Sequence, residues 1–543
     1  MRVARSLRAG GMLMLLLAVA FLCRGVFLAL ALPVGDPLDE TFHFAYAHFL
    51  AETGRVPKPR ESSIAAEILR VSLLLPASTP ISGRRISWKE YSDAPEETRR
   101  QLRCEAYEHR PAERRLWLKP NYETQQPPLF YLLASAPLKL LPDARFSTRL
   151  LVLRLFSICL AAAAVPLVNL FFRYLLSRGA ALAATAAFVA FPGIGSFVGR
   201  FTNDALALPI AAGLLFLFAE AGRGRLSRGK TAGLAALLAA GCWTKLYFLL
   251  LLPVAPLAAF AMRGGRRAGS WRRALFASAS AFVLFVPWML HQRLQTGDWL
   301  GLFSSTQATA LKIGVFDRLK TIPDLLTARF AIVSGRTFLW PGTWSASGAP
   351  AALAVLLTLT LLFLLLAPNL SGSPRSRLRQ RIWWTGGLAV AIFLAGQLAQ
   401  ASTYASVGRL RGRAPSAGPD GWYLLILLPV ILSAGCALGR PVATGSFVIA
   451  GAVFLAAEWW TTFGVLPGVY GGRTAFNGAN APFSAYGMYL WRPDEVLRVY
   501  SRVGLAGVPA FVLASVVGLW LLALASALLL LQSGRTRVRA DGG

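Results

Sequence analysis

The sequence predicts an all-α, polytopic membrane protein with about twelve transmembrane helices and a large first extracytoplasmic loop that carries juxtamembrane helices. Three observations lead there. Of 543 residues, 55% are hydrophobic and only 15% are charged, against about 25% charged in an average soluble domain. Apolar runs of roughly 20 residues recur, each long enough to cross a hydrocarbon core as a helix. The alternating pattern of barrel strands is absent, and in lipid only helices or closed barrels satisfy their backbone groups.

The formal charge of +31 would suggest nucleic acid in a soluble protein. Here the positives cluster between apolar runs, the mark of cytosolic turns, so nucleic acid is excluded as a partner and the bilayer takes its place. Arg2, Arg5 and Arg8 precede a first span near 10–32, which reads as retained rather than as a cleaved leader. Residues 33–146 then lie outside as a long loop, nearly balanced in charge. Spans near 147–172, 179–199 and 204–221 follow, with "GRFTNDA" at an outer turn and "GRGRLSRGK" inside. Two short spans between Lys230 and Arg263 turn at "WTK", which puts Lys245 outside. Further spans are expected near 274–291, 349–368, 382–400, 421–439, 442–462 and 504–532, with both termini cytosolic.

The organisation is therefore 1–32 as N-terminus and first span, 33–146 as the first outer loop, and 147–291 as spans two to seven. Residues 292–348 form another outer loop, and 349–543 hold the last five spans with outer loops at 401–420 and 463–503. Long structured loops are where chemistry concentrates, so the working face is expected to be extracytoplasmic. Four of the five cysteines, Cys23, Cys159, Cys242 and Cys436, lie in apolar runs and Cys104 stands alone in the loop, so no disulfide framework or metal-knuckle spacing exists.

Just past the first span comes "GDPLDETFHFAYAHF". The stretch after Pro37 reads as a helix stopped by Gly54, lying along the membrane surface, with Asp39, His43 and Tyr46 on one face. A second short helix is expected in "NYETQQPPLFYLLASAPLKLL", 121–141, too short to cross. Carboxylates in a first helical turn are ordinarily solvated partners of the helix dipole.

The outward "DE", then "H-x-A-Y" and "Q-P-P-L-F-Y-L-L" before the second span, resembles the GT-C membrane glycosyltransferases. These include the protein O-mannosyltransferases, the lipid A aminoarabinose transferases and related bacterial families. Arg154 in "LRLFSICLAAAAVPLVNLFFRY", "TND" at 202–204 and "TK" at 244–245 resemble further motifs of that group, and "GWYLLILLP" stands in the place of a later "GRYLLP"-like motif. The resemblance covers roughly 10–290 well and the remainder loosely.

It implies a polyprenyl-phosphate sugar donor, a glycan, lipid or protein acceptor, inversion at the anomeric carbon, and a bacterial cytoplasmic membrane with the active face periplasmic. On that reading Asp39 is the base, or the ligand of a divalent cation, Mg²⁺ or Mn²⁺, which a hard carboxylate suits. Glu40 orients or assists it, and His43 hydrogen-bonds Asp39. Lys245, Arg200 and Arg154 are expected at the donor phosphate. Arg411 and Arg413 would stand in for the arginine that Trp422 replaces in the late motif. Asn203, Asp204, Glu123 and Gln125 are expected to position substrate. Trp299, Trp340 and Trp344 read as an interfacial belt. The rival readings are a transporter or flippase of lipid-linked glycans and a non-catalytic subunit of the same fold. A transporter favours internal repeats and polar groups at the midplane; neither is evident in the sequence.

Overall fold

The computed structural model describes residues 2–35, 39–76, 86–261, 268–301, 316, 319–325, 335–339, 351–370, 377–410, 421–433, 440–473, 487–505 and 507–540. Arg411, Arg413, Trp340 and Trp344 lie outside them, as does the side chain of Trp422.

Seven described helices are long and apolar enough to cross a membrane: Gly10–Ala31, Phe146–Leu175, Asp204–Gly222, Gly269–Thr296, Trp384–Ser402, Ala443–Tyr470 and Ala510–Ala527. Four shorter apolar helices, Arg178–Ala190, Leu246–Phe260, Ala352–Leu364 and Tyr423–Ser433, fall on further expected spans, and Arg228–Thr244 on the remaining one. The short ones have visible causes. Phe191 leaves the helical region and Pro192 opens a new helix, Pro192–Val198. At "WTK" the backbone of Lys245 is extended, and Leu246–Leu251 continues as a tighter 3₁₀ turn.

Asp204–Gly222 is the central helix, with 83% of its apolar window buried against 33% for Gly269–Thr296. Its alanines and glycines let neighbouring backbones approach closely. The N-terminal helix Arg2–Ala31 packs along Ala510–Ala540, joining the two ends of the chain, and Arg178–Ala190 packs along Arg440–Trp460. Gly199 permits a close crossing: a Cβ there would meet the Leu28 Cβ at 2.3 Å.

The first loop folds as a compact cap. A two-stranded antiparallel sheet, Ser62–Ala65 with Trp117–Pro120, ties its start to its end. The helices Ala66–Leu74, Trp88–Asp93, Glu96–Tyr107 and Pro111–Arg114 lie between, and Ser87 and Glu90 form a capping box at the second of them. The acidic helix runs Glu40–Thr53 and ends at Gly54, whose φ of +70° suits glycine. It does not lie on a surface as expected. Every residue from Glu40 to Leu50 is buried, because Leu129–Lys139 and the small sheet pack over it.

Candidate active site

Three segments far apart in sequence meet at one end of the bundle: the acidic helix, the loop 199–204, and the turn at Lys245. Three buried ion pairs hold the bundle around them.

The first pair is Glu40 with Arg154. Arg154 Nε donates to Glu40 Oε1 (2.7 Å) and Nη2 to Oε2 (2.6 Å). Its other donors reach the carbonyls of Ala29, Leu32 and Pro33, each at 2.8 Å, at the end of the first helix. All five guanidinium N–H groups are thus engaged. Glu40 also accepts the backbone N–H of Phe201 (3.0 Å) and of Gly35 (3.3 Å). Arg154 therefore has no donor left for a phosphate, in contrast to the sequence expectation, and Glu40 has no role apparent beyond fixing the chain around its neighbour.

The second pair was not foreseen. Arg24, inside the first span, donates to Glu458 from Nε (2.9 Å) and to the carbonyl of Val189 (2.7 Å). Arg200, in the loop 199–204, is buried, and its charge also acts on Glu458. An arginine and a glutamate inside apolar runs are a readable signal, since such charges are costly and almost always paired.

The third pair is Lys245 with Asp204, 2.6 Å apart. Tyr247 donates its hydroxyl to Asp204 Oδ1 (3.1 Å) and Thr202 its hydroxyl to Oδ2 (3.2 Å). The ammonium lies 5.3 Å from the ring centres of both Tyr247 and Tyr423, in cation–π range. Asn203 Nδ2 donates to the Thr244 carbonyl (3.4 Å), while its Oδ1 is buried without a partner.

Around Lys245 the polar groups are left incomplete. Asp39 caps the acidic helix in a left-handed conformation (φ 60°, ψ 21°) that non-glycine residues rarely adopt. Its Oδ1 is buried with no partner, and the Tyr122 hydroxyl is hydrogen-bonded to the carboxyl. Burial pushes the Asp39 carboxyl up to about 6, against the pull of Tyr122 and Lys245. Glu123 Oε2 and Gln125 Oε1 are likewise buried and unpartnered. Burial, then the charge of Asp39, pushes Glu123 up to about 8. The two buried carboxyls repel one another, so near neutral pH Glu123 keeps its proton while Asp39 is the one to ionise.

The His43 backbone N–H donates to the Asp39 carbonyl (3.0 Å), but the His43 ring does not bond the Asp39 carboxyl. Its Nδ1 lies 2.7 Å from the Tyr131 hydroxyl, and burial followed by the nearby Lys245 charge lowers its pKa to about 3, so the ring is neutral. Tyr131 in turn stacks on Tyr46 at 3.9 Å between ring centres. Tyr122, Tyr131, Tyr247 and Tyr423 are the site residues that the sequence reading missed. Tyr131 and Tyr423 carried a signal, their places in "Q-P-P-L-F-Y-L-L" and in the late motif.

Among the described residues, no three of His, Cys, Asp and Glu gather as a metal site. The cation at Asp204 is the Lys245 ammonium. A divalent ion at Asp39 would have to share the site with that ammonium, whose charge already acts on the Asp39 carboxyl. Trp299, one of the expected belt, is half exposed with Arg293 over its ring.

No family model matches the chain, and no curated protein matches it. Among solved structures, it is similar to ArnT from Cupriavidus metallidurans bound to undecaprenyl phosphate. The TM-score is 0.44 and the identity 15%, over 98% of this chain and 79% of that one. The apo state of the same protein gives a TM-score of 0.43 at 15% identity, over 96% and 77%.

Proposed function

We propose that this chain transfers a glycosyl group from a polyprenyl-phosphate sugar to an acceptor hydroxyl on the extracytoplasmic face of the membrane. The observation that carries the reading is the incomplete polar cluster. Asp39 and Glu123 keep buried carboxylate oxygens without partners, within electrostatic reach of a buried lysine, where the outer loop meets the spans. Buried polar groups are almost always satisfied, so a group of orphans at one place points to a ligand. The motif resemblance supplies the class of ligand.

In the reaction, the acceptor oxygen bonds to the anomeric carbon as the bond from that carbon to the phosphate oxygen breaks. The acceptor proton passes to the Asp39 carboxylate, whose raised pKa suits a general base near neutral pH. The leaving polyprenyl phosphate departs with the bonding pair, and its charge is met by Lys245 and the neighbouring tyrosine hydroxyls. Glu123, holding its proton, donates a hydrogen bond to substrate. Asn203 and Gln125 offer their free oxygens to sugar hydroxyls. Glu40 and Arg154 act at one remove, by holding the backbone on either side of Asp39.

The test uses proteoliposomes loaded with a labelled polyprenyl-phosphate sugar and candidate acceptor glycans or lipids. A glycosylated acceptor and released polyprenyl phosphate support the reading. Movement of the intact donor between leaflets without transfer would replace it with the flippase.

A further inference from the structure

A second cleft lies outside the site. It has a volume of about 940 Å³ and is bounded by the loop helix Glu96–Tyr107, by Arg145 and Ser147 at the start of the span Phe146–Leu175, and by Arg502, Leu505 and Gly507 before the last span. Five arginines line it against three glutamates, a balance of +2.

The charges are unequally spent. Glu96 is taken by Arg99 at 2.5 Å and Glu108 by Arg110 at 2.8 Å, while Arg100 pairs with Glu97. Arg103 donates to the carbonyls of Ser501, Arg502 and Gly504, which fixes the side chain without a carboxylate in direct contact, and its charge acts on Glu96 only at a distance. Arg502 lies 3.9 Å from Glu96 and is nearly half exposed. Arg145 is exposed, and none of the ion pairs among the described residues includes it. His109, also in the lining, has a buried Nδ1 without a partner.

We propose that this cleft binds the phosphate of an anionic lipid headgroup. The ligand class follows from three features. Arginine, whose planar fork matches phosphate oxygens, is the only fixed cation in the lining. The cleft lies at the first turn of one apolar span, through Ser147, and against the segment just before another, through Leu505 and Gly507, a position that argues for a ligand at headgroup depth. Its cationic groups come from the loop cap and from both span ends, so a bound headgroup ties the cap to the bundle. Asp39, Glu123 and Lys245 are not among the residues that line it.

Cys104 is an exposed, free thiol in the lining and reports occupancy. The full chain is placed in phosphatidylcholine nanodiscs with and without phosphatidylglycerol. Alkylation of Cys104 by a neutral water-soluble maleimide is followed by peptide mass spectrometry. Phosphatidylglycerol is expected to slow alkylation several-fold. Arg145→Gln with Arg502→Gln is expected to raise the phosphatidylglycerol content needed by on the order of tenfold, as each arginine near the surface attracts anionic lipid. Ser147→Glu, which removes no cap contact, is expected to act the same way and serves if the double variant melts early. Soluble glycerol phosphate is expected to give no protection. Equal protection by glycerol phosphate overturns the lipid as source. Protection that persists unchanged in both variants, or none in the parent, overturns the site. The readout involves no transfer, so it stands apart from the proposed function.

Discussion

Asp39 and Glu40 are adjacent in sequence and opposite in condition. Glu40 is saturated by a bidentate arginine and two backbone N–H groups. Asp39 sits in a left-handed turn with one oxygen buried and alone. A buried charge whose every lone pair is used contributes architecture. A buried charge with a lone pair left over is held at a cost, and the rest of the fold sustains that cost. The same contrast separates Arg154, with no free donor, from Lys245, which meets one carboxylate and two aromatic faces.

The sharpest way to break the comparison is substitution on each side. Asp39→Asn keeps the left-handed turn, which asparagine tolerates, and removes the base. Transfer should fall by about 10²- to 10⁴-fold, measured as initial rate in proteoliposomes, with little loss of folded protein. Arg154→Leu should do the reverse. It strands Glu40 as an unpaired buried charge, a loss of about 3–5 kcal/mol, seen as a lower melting temperature in detergent before any kinetic effect is assigned. Lys245→Met falls between the two. Loss of charge at the departing phosphate should lower the rate by about 10²- to 10³-fold, and Asp204, left with only the hydroxyls of Tyr247 and Thr202, should add a measurable drop in melting temperature.

The pH dependence sharpens the same contrast. Asp39 must be ionised to accept a proton, so the rate should rise as pH passes about 6. Glu123 must keep its proton, so the rate should fall above about 8, which gives a bell-shaped profile for the pair. Glu123→Gln should remove the alkaline limb. The smallest effect is on stability. Because the folded-state pKa of Glu123 is raised, its contribution is full below the unfolded value and is lost as pH rises through about 8. Glu123→Gln should therefore melt higher than the parent above that pH, measured by thermal shift across a pH series.

Much of the architecture was legible in the sequence because apolar length and the placement of arginines constrain a membrane chain strongly. Described helices fall on the expected spans, seven of them long and apolar enough to cross, and the break at Pro192 falls at a residue that opens a new helix, whereas nothing in Lys245 itself ends one. The site was legible only in part. Asp39, Lys245 and Asp204 could each be singled out, but the separation of 41 positions between Asp204 and Lys245 hides their contact. Nothing local distinguishes Asp39 from Glu40, since which carboxylate meets Arg154 depends on the packing of the second span against the first. His43 was misjudged because the helical spacing that allowed a bond to Asp39 said nothing of Tyr131, 88 residues away. The acidic helix was read as a surface element because its cover comes from other parts of the loop.

The most direct test pairs two measurements on one preparation of Asp39→Asn: transfer in proteoliposomes and the melting temperature. The account predicts that transfer is lost while the melting temperature holds or rises, since a buried, poorly solvated carboxylate has been made neutral. Transfer retained at the parent rate, or lost only in step with unfolding, would contradict it.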